Sequence, residues 1–204
     1  MIKYFSGTPG SGKSLQCARI ILNRMRTKNC VTIANFPIDE GKIKHKSGHF
    51  LYIENEFLTP KRLVDFSRNY SEYLGRHLRE NEVLVIIDEA EIPFGVRDWN
   101  SPLRKDWVKF FPQHRKYGFT FILVSQFQRQ IDKQIRELFE YEYIHRKITN
   151  SGKKGFFLKC LFLGDLFVSV QVWAPMKERI GANFFRASKK LYSIYDTNMI
   201  FEEQ

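Results

Sequence analysis

A glycine-rich segment near the start of the chain constrains the fold more than any other feature. The segment Gly7–Ser14, GTPGSGKS, matches the pattern G-x-x-x-x-G-K-[ST]. It follows a short β-prone run, Ile2–Ser6, and it precedes apolar residues at helical spacing from Ser14 to about Lys28. A strand, this loop and then a helix form the context in which the pattern binds phosphate, so we predict a nucleotide site here.

The residue types in the loop fit that chemistry. Glycines let successive backbone N–H groups turn toward phosphate oxygens, and the helix that follows adds its positive dipole end. Lys13 is expected to reach the β- and γ-phosphates, and the Ser14 hydroxyl to ligate Mg²⁺. We therefore predict ATP and Mg²⁺ as cofactors, with the nucleotide bound by Gly7, Thr8, Pro9, Gly10, Ser11, Gly12, Lys13, Ser14 and Leu15.

A second motif combines a buried strand with two acids. The continuous apolar run Val83–Ile87 is typical of a strand covered on both faces, and Asp88 and Glu89 follow it directly. Phosphate-loop enzymes need an acid that holds the metal, which we assign to Asp88. Glu89 is then the predicted general base that orients and deprotonates the attacking water. The plainer interpretation is an acidic loop after a strand.

Further candidates surround the next buried strand, Phe119–Ser125. Gln126 follows it and is a candidate sensor of the γ-phosphate, with a strand-capping polar pair as the alternative. Arginines from a neighbouring subunit can stabilise charge on a transferred phosphoryl group. We regard Arg115, Arg129 and Arg136 as candidate arginine fingers, with Arg104 in the same group, although each could equally be a surface or salt-bridge residue.

The order of elements predicts the fold class. Strands alternate with helices, which indicates an α/β protein with a mostly parallel sheet covered by helices on both faces. We predict a P-loop NTPase core over residues 1–150, including helices at Lys61–Leu78 and Asp132–Phe139. Residues 151–204 are predicted to form a β-hairpin, Phe156–Leu163 with Leu166–Trp173, and an extension that packs on the core.

Composition limits the partners and the compartment. The chain has 204 residues and a formal net charge of +11, which favours binding of polyanions, with a solvated basic surface as the alternative. Its three cysteines form no CxxC pair, so a disulfide framework or a zinc site is not expected. The most apolar window, Gly155–Ala174, is interrupted by polar residues and does not predict a membrane span. We expect a soluble chain in a reducing cytosol.

Several segments together resemble the amino-terminal domain of the zonular occludens toxin family, which includes the assembly ATPases of filamentous phages. The most specific of them is His114-Arg115-Lys116-Tyr117-Gly118, which leads into the strand before Gln126. The likeness covers most of the chain. The other segments are Gly7–Leu15, Val31–Asn35, Val85–Glu89, Phe121–Gln126, Ile131–Arg136, Tyr141–Arg146 and Ser193–Thr197.

The resemblance implies a motor on the cytoplasmic side of the bacterial inner membrane that drives extrusion and coating of single-stranded phage DNA. It also implies a homo-oligomeric ring, with phage coat or assembly proteins as partners. By position, it assigns the nucleotide and Mg²⁺ roles to Lys13, Ser14, Asp88 and Glu89, and the polar sensor position to Gln126. The family usually continues into a transmembrane helix, so we expect this chain to reach the membrane through a further segment or a partner.

Three other functions fit the same motifs. A double-stranded DNA translocase or packaging motor would have the same nucleotide site but would act on double-stranded instead of single-stranded DNA. A small-molecule kinase would need an arginine-rich lid, for which the loop Asp39–His49 is short and lysine-rich. A nucleotide-switch adaptor would not need the intact acidic pair.

Overall fold

The computed structural model describes residues 1–96, 101–150 and 164–194, and its order of elements is that of an α/β protein. The strands are β1 (Ile2–Ser6), β2 (Val31–Ala34), β3 (His49–Tyr52), β4 (Val83–Ile87), β5 (Phe119–Val124), β6 (Tyr141–Lys147), β7 (Leu166–Trp173) and β8 (Glu178–Arg186). The α-helices are α1 (Lys13–Met25), α2 (Pro60–Leu74), α3 (Glu91–Phe94), α4 (Pro102–Phe110), α5 (Lys133–Arg136) and α6 (Lys189–Ile194). Short 3₁₀ segments lie at Glu40–Lys42, Phe111–Tyr117, Gln128–Gln130 and Ile148–Asn150.

One eight-stranded sheet runs through the molecule in the order β3-β2-β4-β5-β1-β6-β7-β8. The strands from β3 to β6 are parallel, and β7 and β8 continue the sheet in antiparallel sense. The predicted fold class is therefore confirmed. Because β5 lies between β1 and β4, the segments that follow these three strands emerge side by side at one edge of the sheet.

The sheet has a core on each face, as the continuous apolar strands predict. Along β5, Phe119, Phe121 and Leu123 pack with α4 residues on one side. The alternating residues Ile122 and Val124 pack with α1 on the other side. Strand residues alternate between the two faces, so a strand with a helix on each side must be apolar throughout.

Local signals explain where two predicted helices end. α2 begins after Thr59, whose hydroxyl accepts from the Arg62 backbone N–H at 3.2 Å. It ends at Leu74, before the predicted Leu78, because Gly75 adopts a left-handed φ of 64° that stops the helix. The predicted helix Asp132–Phe139 is also too long, since regular α-helix covers only Lys133–Arg136.

The C-terminal β-hairpin of the predicted fold class is present, but its two strands are not the predicted pair. β7 is a strand as expected, but it is hydrogen-bonded to β6 on one edge and to β8 on the other. Its hairpin partner is therefore Glu178–Arg186, in a tail whose sequence pattern carries only weak signals. The other predicted strand, Phe156–Leu163, lies outside the described residues. The division of the chain at residue 150 stays a prediction.

In the part of the chain that the structure describes, no helix combines the length and the apolar character needed to cross a bilayer.

Candidate functional site

The phosphate loop occupies the space between β1 and α1 at the carboxyl edge of the sheet. Gly7 and Gly12 have φ values of 143° and 96°, which other residues rarely adopt. Both are also crowded: a Cβ at Gly7 would lie 2.6 Å from the His145 carbonyl oxygen, and a Cβ at Gly12 would lie 2.6 Å from the Phe167 ring. The two glycines are therefore required by both conformation and space.

Lys13 is the first residue of α1, and its side chain folds back onto the loop. Its ammonium group donates to the carbonyl oxygens of Gly7 at 2.6 Å and Thr8 at 3.4 Å. Burial lowers the pKa of Lys13, while the nearby carboxylates of Asp88, Glu89 and Glu91 oppose that shift. The cation and the acidic residues thus share one electrostatic environment, although they come from elements far apart in sequence.

The remaining loop residues supply donors of the kind that a phosphate needs. The Ser11 hydroxyl is buried and has no hydrogen-bond partner among the described residues. Ser14 is half-buried in the first turn of α1, where the helix dipole is positive. A buried hydroxyl without a partner is costly, so this site is suited to an oxyanion that accepts from it.

The acidic pair follows β4, with its backbone held by a side chain from the neighbouring strand. The Asn35 side chain, just beyond β2, accepts from the Asp88 N–H at 2.7 Å and donates to the Asp88 carbonyl oxygen at 2.8 Å. The same amide donates to Asn55 Oδ1 at 2.8 Å. One side chain therefore satisfies both backbone groups of Asp88 and ties them to the loop after β3.

Glu89 has an unusual backbone and an acidic neighbour. Its φ is 49°, in the left-handed region, and its N–H donates to Asp88 Oδ1 at 3.0 Å. Strained backbone of this kind is concentrated at functional sites. Glu91, on the first turn of α3, has its pKa raised to about 7 by burial and by hydrogen bonding to Glu89. The sequence analysis did not identify Glu91, nor the hydrogen bonds by which the Asn35 side chain holds the Asp88 backbone.

Gln126 reaches the loop through its backbone. Its carbonyl oxygen accepts from the Gly7 N–H at 3.3 Å. The preceding Ser125 is buried, and its hydroxyl is 2.7 Å from the Tyr4 hydroxyl. The segment after β5 therefore contacts the loop as expected, while the role of the Gln126 side chain as a phosphate sensor stays a prediction.

The candidate arginines occupy different places. Arg115 precedes β5 and so lies at the amino edge of the sheet, opposite the loop, where it pairs with Glu140 and with Glu80 at 3.6 Å. Arg104 is buried and 2.5 Å from Asp132. Arg136 belongs to α5 and is partly buried. Arg129 follows β5 at the edge of the site, is exposed, and stacks over the exposed Phe127 ring.

These residues fit Mg²⁺ and a triphosphate. Mg²⁺ in nucleotide sites takes one or two protein oxygens, completing its shell with phosphate oxygens and water. Ser14 and Asp88 provide a hydroxyl and a carboxylate of that kind. Among the described residues no group of three or more His, Cys, Asp or Glu side chains could hold a metal by itself.

A strand, a glycine loop and a helix, with an acidic pair two strands away, define the class: this is a P-loop NTPase. Within that class, the zonular occludens toxin (Zot) family model matches residues 1–197, and the chain belongs to this family. No curated protein sequence matches the chain.

Solved structures of low sequence identity share the fold. The N-terminal domain of zonular occludens toxin from Neisseria meningitidis is 18% identical, with 96% of this chain and 98% of that one covered at a TM-score of 0.57. The genome packaging NTPase B204 of Sulfolobus turreted icosahedral virus 2, in complex with ATP-gammaS, is 15% identical, with coverage of 92% and 97% and a TM-score of 0.54. The DNA-packaging ATPase B204 from Sulfolobus turreted icosahedral virus is 14% identical, with coverage of 92% and 97% and a TM-score of 0.55.

Proposed function

We propose that this chain is an ATP-hydrolysing motor domain that powers assembly and extrusion of a filamentous phage at the cytoplasmic face of the bacterial inner membrane. One observation carries the enzymatic part: Lys13, Asp88 and Glu89 share one edge of the sheet and one electrostatic environment. Membership of the Zot family supports the extrusion role. The toxin activity in the family's name forms no part of the proposal.

The residues around the loop have distinct roles in this proposal. Lys13 and the backbone N–H groups of the loop bind the phosphates, and Ser14 and Asp88 hold Mg²⁺, which neutralises charge on the phosphate oxygens. Asn35 fixes the position of Asp88 through its backbone. Glu89 orients a water molecule and takes its proton as that water attacks the γ-phosphorus. In this proposal Gln126 responds to the γ-phosphate from the end of β5.

The acid at Glu89 favours hydrolysis over a simple nucleotide switch. A switch needs the loop and the metal ligand, but it does not need a base held in a strained conformation beside them. Glu91 adds a second carboxyl group in hydrogen-bond contact with Glu89. A pair of carboxyls that share a proton near neutral pH is suited to receiving the proton that water releases.

We further propose a homo-oligomeric ring in which Arg129 enters the site of a neighbouring copy. Of the four candidate arginines, Arg129 is exposed and follows β5 beside the site, whereas Arg115 and Arg104 are engaged in ion pairs and Arg136 is partly buried. An arginine finger typically contributes about 10³–10⁵-fold in rate, so an isolated subunit should be nearly inactive. Phage coat or assembly proteins and single-stranded DNA are the proposed partners of the ring.

A mixing experiment tests the ring and its arginine. Specific activity of the wild type should rise with protein concentration. Lys13→Ala and Arg129→Ala are each expected to be inactive alone, yet to recover part of the activity when mixed, because each supplies what the other lacks. Arg115→Ala is the control and should retain activity by itself. Constant specific activity on dilution, with no recovery on mixing, would show that one chain holds the complete site.

The similarity in fold to the viral genome packaging NTPase makes a DNA-packaging motor the second candidate function. A packaging motor would move double-stranded DNA, whereas an extrusion motor acts on single strands. Comparing hydrolysis with single-stranded circles and with long duplex of equal phosphate concentration separates the two. Stimulation by duplex alone would favour the packaging function.

A further inference from the structure

The strand pair β6–β7 lies behind the phosphate loop and contacts both of its ends. On β6, the carbonyl oxygen of His145 is so close to Gly7 that a Cβ there would meet it at 2.6 Å. On β7, the three atoms nearest to a Cβ at Gly12 all belong to the ring of Phe167, the closest at 2.6 Å. Phe167 in turn stacks on Phe185 of β8, at a centroid distance of 5.5 Å.

The His145 side chain connects the residue before the loop to the helix after it. Nδ1 faces the carbonyl oxygens of Ser6 at 3.2 Å and Tyr143 at 2.9 Å. Nε2 lies 2.6 Å from Oε1 of the Gln16 side chain, on the first turn of α1. Ser6 ends β1 and immediately precedes Gly7, so one imidazole spans the whole phosphate loop. A further bond from the Ser6 hydroxyl to Glu142, at 2.7 Å, joins the same strands.

The protonation of His145 follows from these partners. The imidazole is 1% exposed, and burial lowers its pKa to about 4, with the charge on Lys13 acting in the same direction. The ring is therefore neutral at pH 7. Since two carbonyl oxygens face Nδ1, that nitrogen carries the proton and Nε2 accepts. With this tautomer Nε2 needs a donor, so the Gln16 amide is turned to place its NH₂ group where Oε1 lies at Nε2, and the resulting hydrogen bond links the first turn of α1 to β6.

We propose that His145 and Phe167 are positioning residues that hold the phosphate loop in its nucleotide-binding shape, so that the strands β6 and β7 set the affinity of the nucleotide site. This inference rests on the proposed ATPase function. A loop rich in glycine loses much conformational entropy when a nucleotide binds to it. Contacts that already hold both ends of the loop lower that entropy cost and so increase the affinity. Neither residue touches a reacting atom in this arrangement.

The test is the affinity for a fluorescent ATP analogue, measured for two matched pairs of variants. Phe167→Leu and Phe185→Leu remove the same volume from buried, stacked rings, but Phe167 is the one that supplies the ring atoms against Gly12. His145→Gln and His114→Gln each replace a buried histidine, and His114 lies at the opposite edge of the sheet. We expect Kd to rise about tenfold in Phe167→Leu and His145→Gln, as loss of a buried contact predicts, and to stay unchanged in the other two.

Further measurements separate positioning from general damage. At saturating ATP, kcat should change by less than about twofold in Phe167→Leu and His145→Gln, because the acidic residues are intact. Gln16→Met, which removes the link from the helix side, should reproduce the rise in Kd if His145→Gln does not fold. Unchanged Kd in Phe167→Leu, His145→Gln and Gln16→Met, while the wild type binds the analogue, would overturn this inference alone. A folded wild type that binds no nucleotide would overturn the proposed function as well.

Discussion

Glu89 occupies a backbone conformation that residues with a side chain rarely adopt, with φ at 49°. The left-handed region costs an L-residue about 1–2 kcal/mol. Four other non-glycine residues that the structure describes also have a positive φ, but Glu89 is the one that directly follows Asp88 at the end of β4, and we propose that its role offsets the cost. In the proposed mechanism that role is to present the carboxylate to water next to the phosphates.

Substitutions of Glu89 are expected to separate stability from activity. Glu89→Gln should retain nucleotide binding and lose about 10²–10⁴-fold in hydrolysis, because an amide cannot take a proton. Glu89→Gly should also be inactive but unfold at a temperature about 2–4 °C higher, through relief of about 1 kcal/mol of strain. Glu89→Ala is the control, since it removes the carboxylate and keeps the strain. Equal melting temperatures for the Gly and Ala variants would contradict the strain argument.

Single residues also show what the sequence can and cannot predict. The loop and the acidic pair could be found because their chemistry depends on fixed local spacing. Asn35, Glu91 and His145 could not, since each acts on a residue that the sheet order brings close. Asn35 meets Asp88 only because β2 lies beside β4, and His145 meets Ser6 only because β6 lies beside β1. The arginines could not be ranked before their ion pairs and sheet edges were known.

At the scale of elements, the register of β2 against β4 pairs Ala34 with Ile86, so that Asn35 lies next to the end of β4 and within reach of Asp88. Its amide continues the hydrogen-bonded ladder beyond Ala34, the last residue of β2, and binds both backbone groups of Asp88. Asp88 is the predicted Mg²⁺ ligand. Displacing its backbone should therefore affect the metal more than the nucleotide.

Asn35→Ala should raise the Mg²⁺ concentration needed for half-maximal hydrolysis by about tenfold, a typical effect of removing a residue that orients a metal ligand. Binding of ATP without Mg²⁺ should change little, because the loop is untouched. Asn55→Ala removes only the outer bond to Asn35 and serves as the control, with a smaller effect expected. Titrating Mg²⁺ at fixed ATP measures both, and an unchanged midpoint for Asn35→Ala would exclude the positioning role.

The strand that pairs with β7 was also predicted wrongly for a reason that lies at the scale of elements. Alternating apolar residues predict Leu166–Trp173 as a strand, and it is one. Its partners depend on long-range pairing that periodicity does not encode, so the pattern favours the nearest apolar run in sequence, Phe156–Leu163. β8 carries exposed residues at most positions because it is the last strand of the sheet, which weakens its apolar pattern.

At the scale of the whole molecule, the buried His145 and the half-buried Glu91 give opposite pH dependence. His145 has a folded pKa of about 4 against an ordinary 6.5, so the unfolded chain binds more protons between these values. Its contribution falls as pH is lowered through that window, by about 3 kcal/mol in total. Glu91 has a folded pKa of about 7 against an ordinary 4.5, so its contribution falls as pH rises from 4.5 to 7.

We expect the two effects to offset each other partly in the wild type between pH 4.5 and 6.5. Glu91→Gln should lose stability more steeply than the wild type as pH is lowered through this range. His145→Gln should lose it less steeply, with His114, whose pKa is also lowered by burial, making the same contribution in all three proteins. Urea unfolding at a series of pH values measures the slopes. The same slope in all three proteins would contradict these assignments.

The loop around Lys13 and the acids after β4 are proposed to form one Mg²⁺-dependent ATPase site. The most direct test is phosphate release from ATP by the wild type and by Lys13→Ala, with and without Mg²⁺, at a protein concentration high enough for assembly. Lys13 is the first residue of α1, and its ammonium group donates to the carbonyl oxygen of Gly7 in the loop. We expect Mg²⁺-dependent release by the wild type and none above background by Lys13→Ala. Equal release by the two proteins, or no release by a folded and assembled wild type, would contradict this proposal.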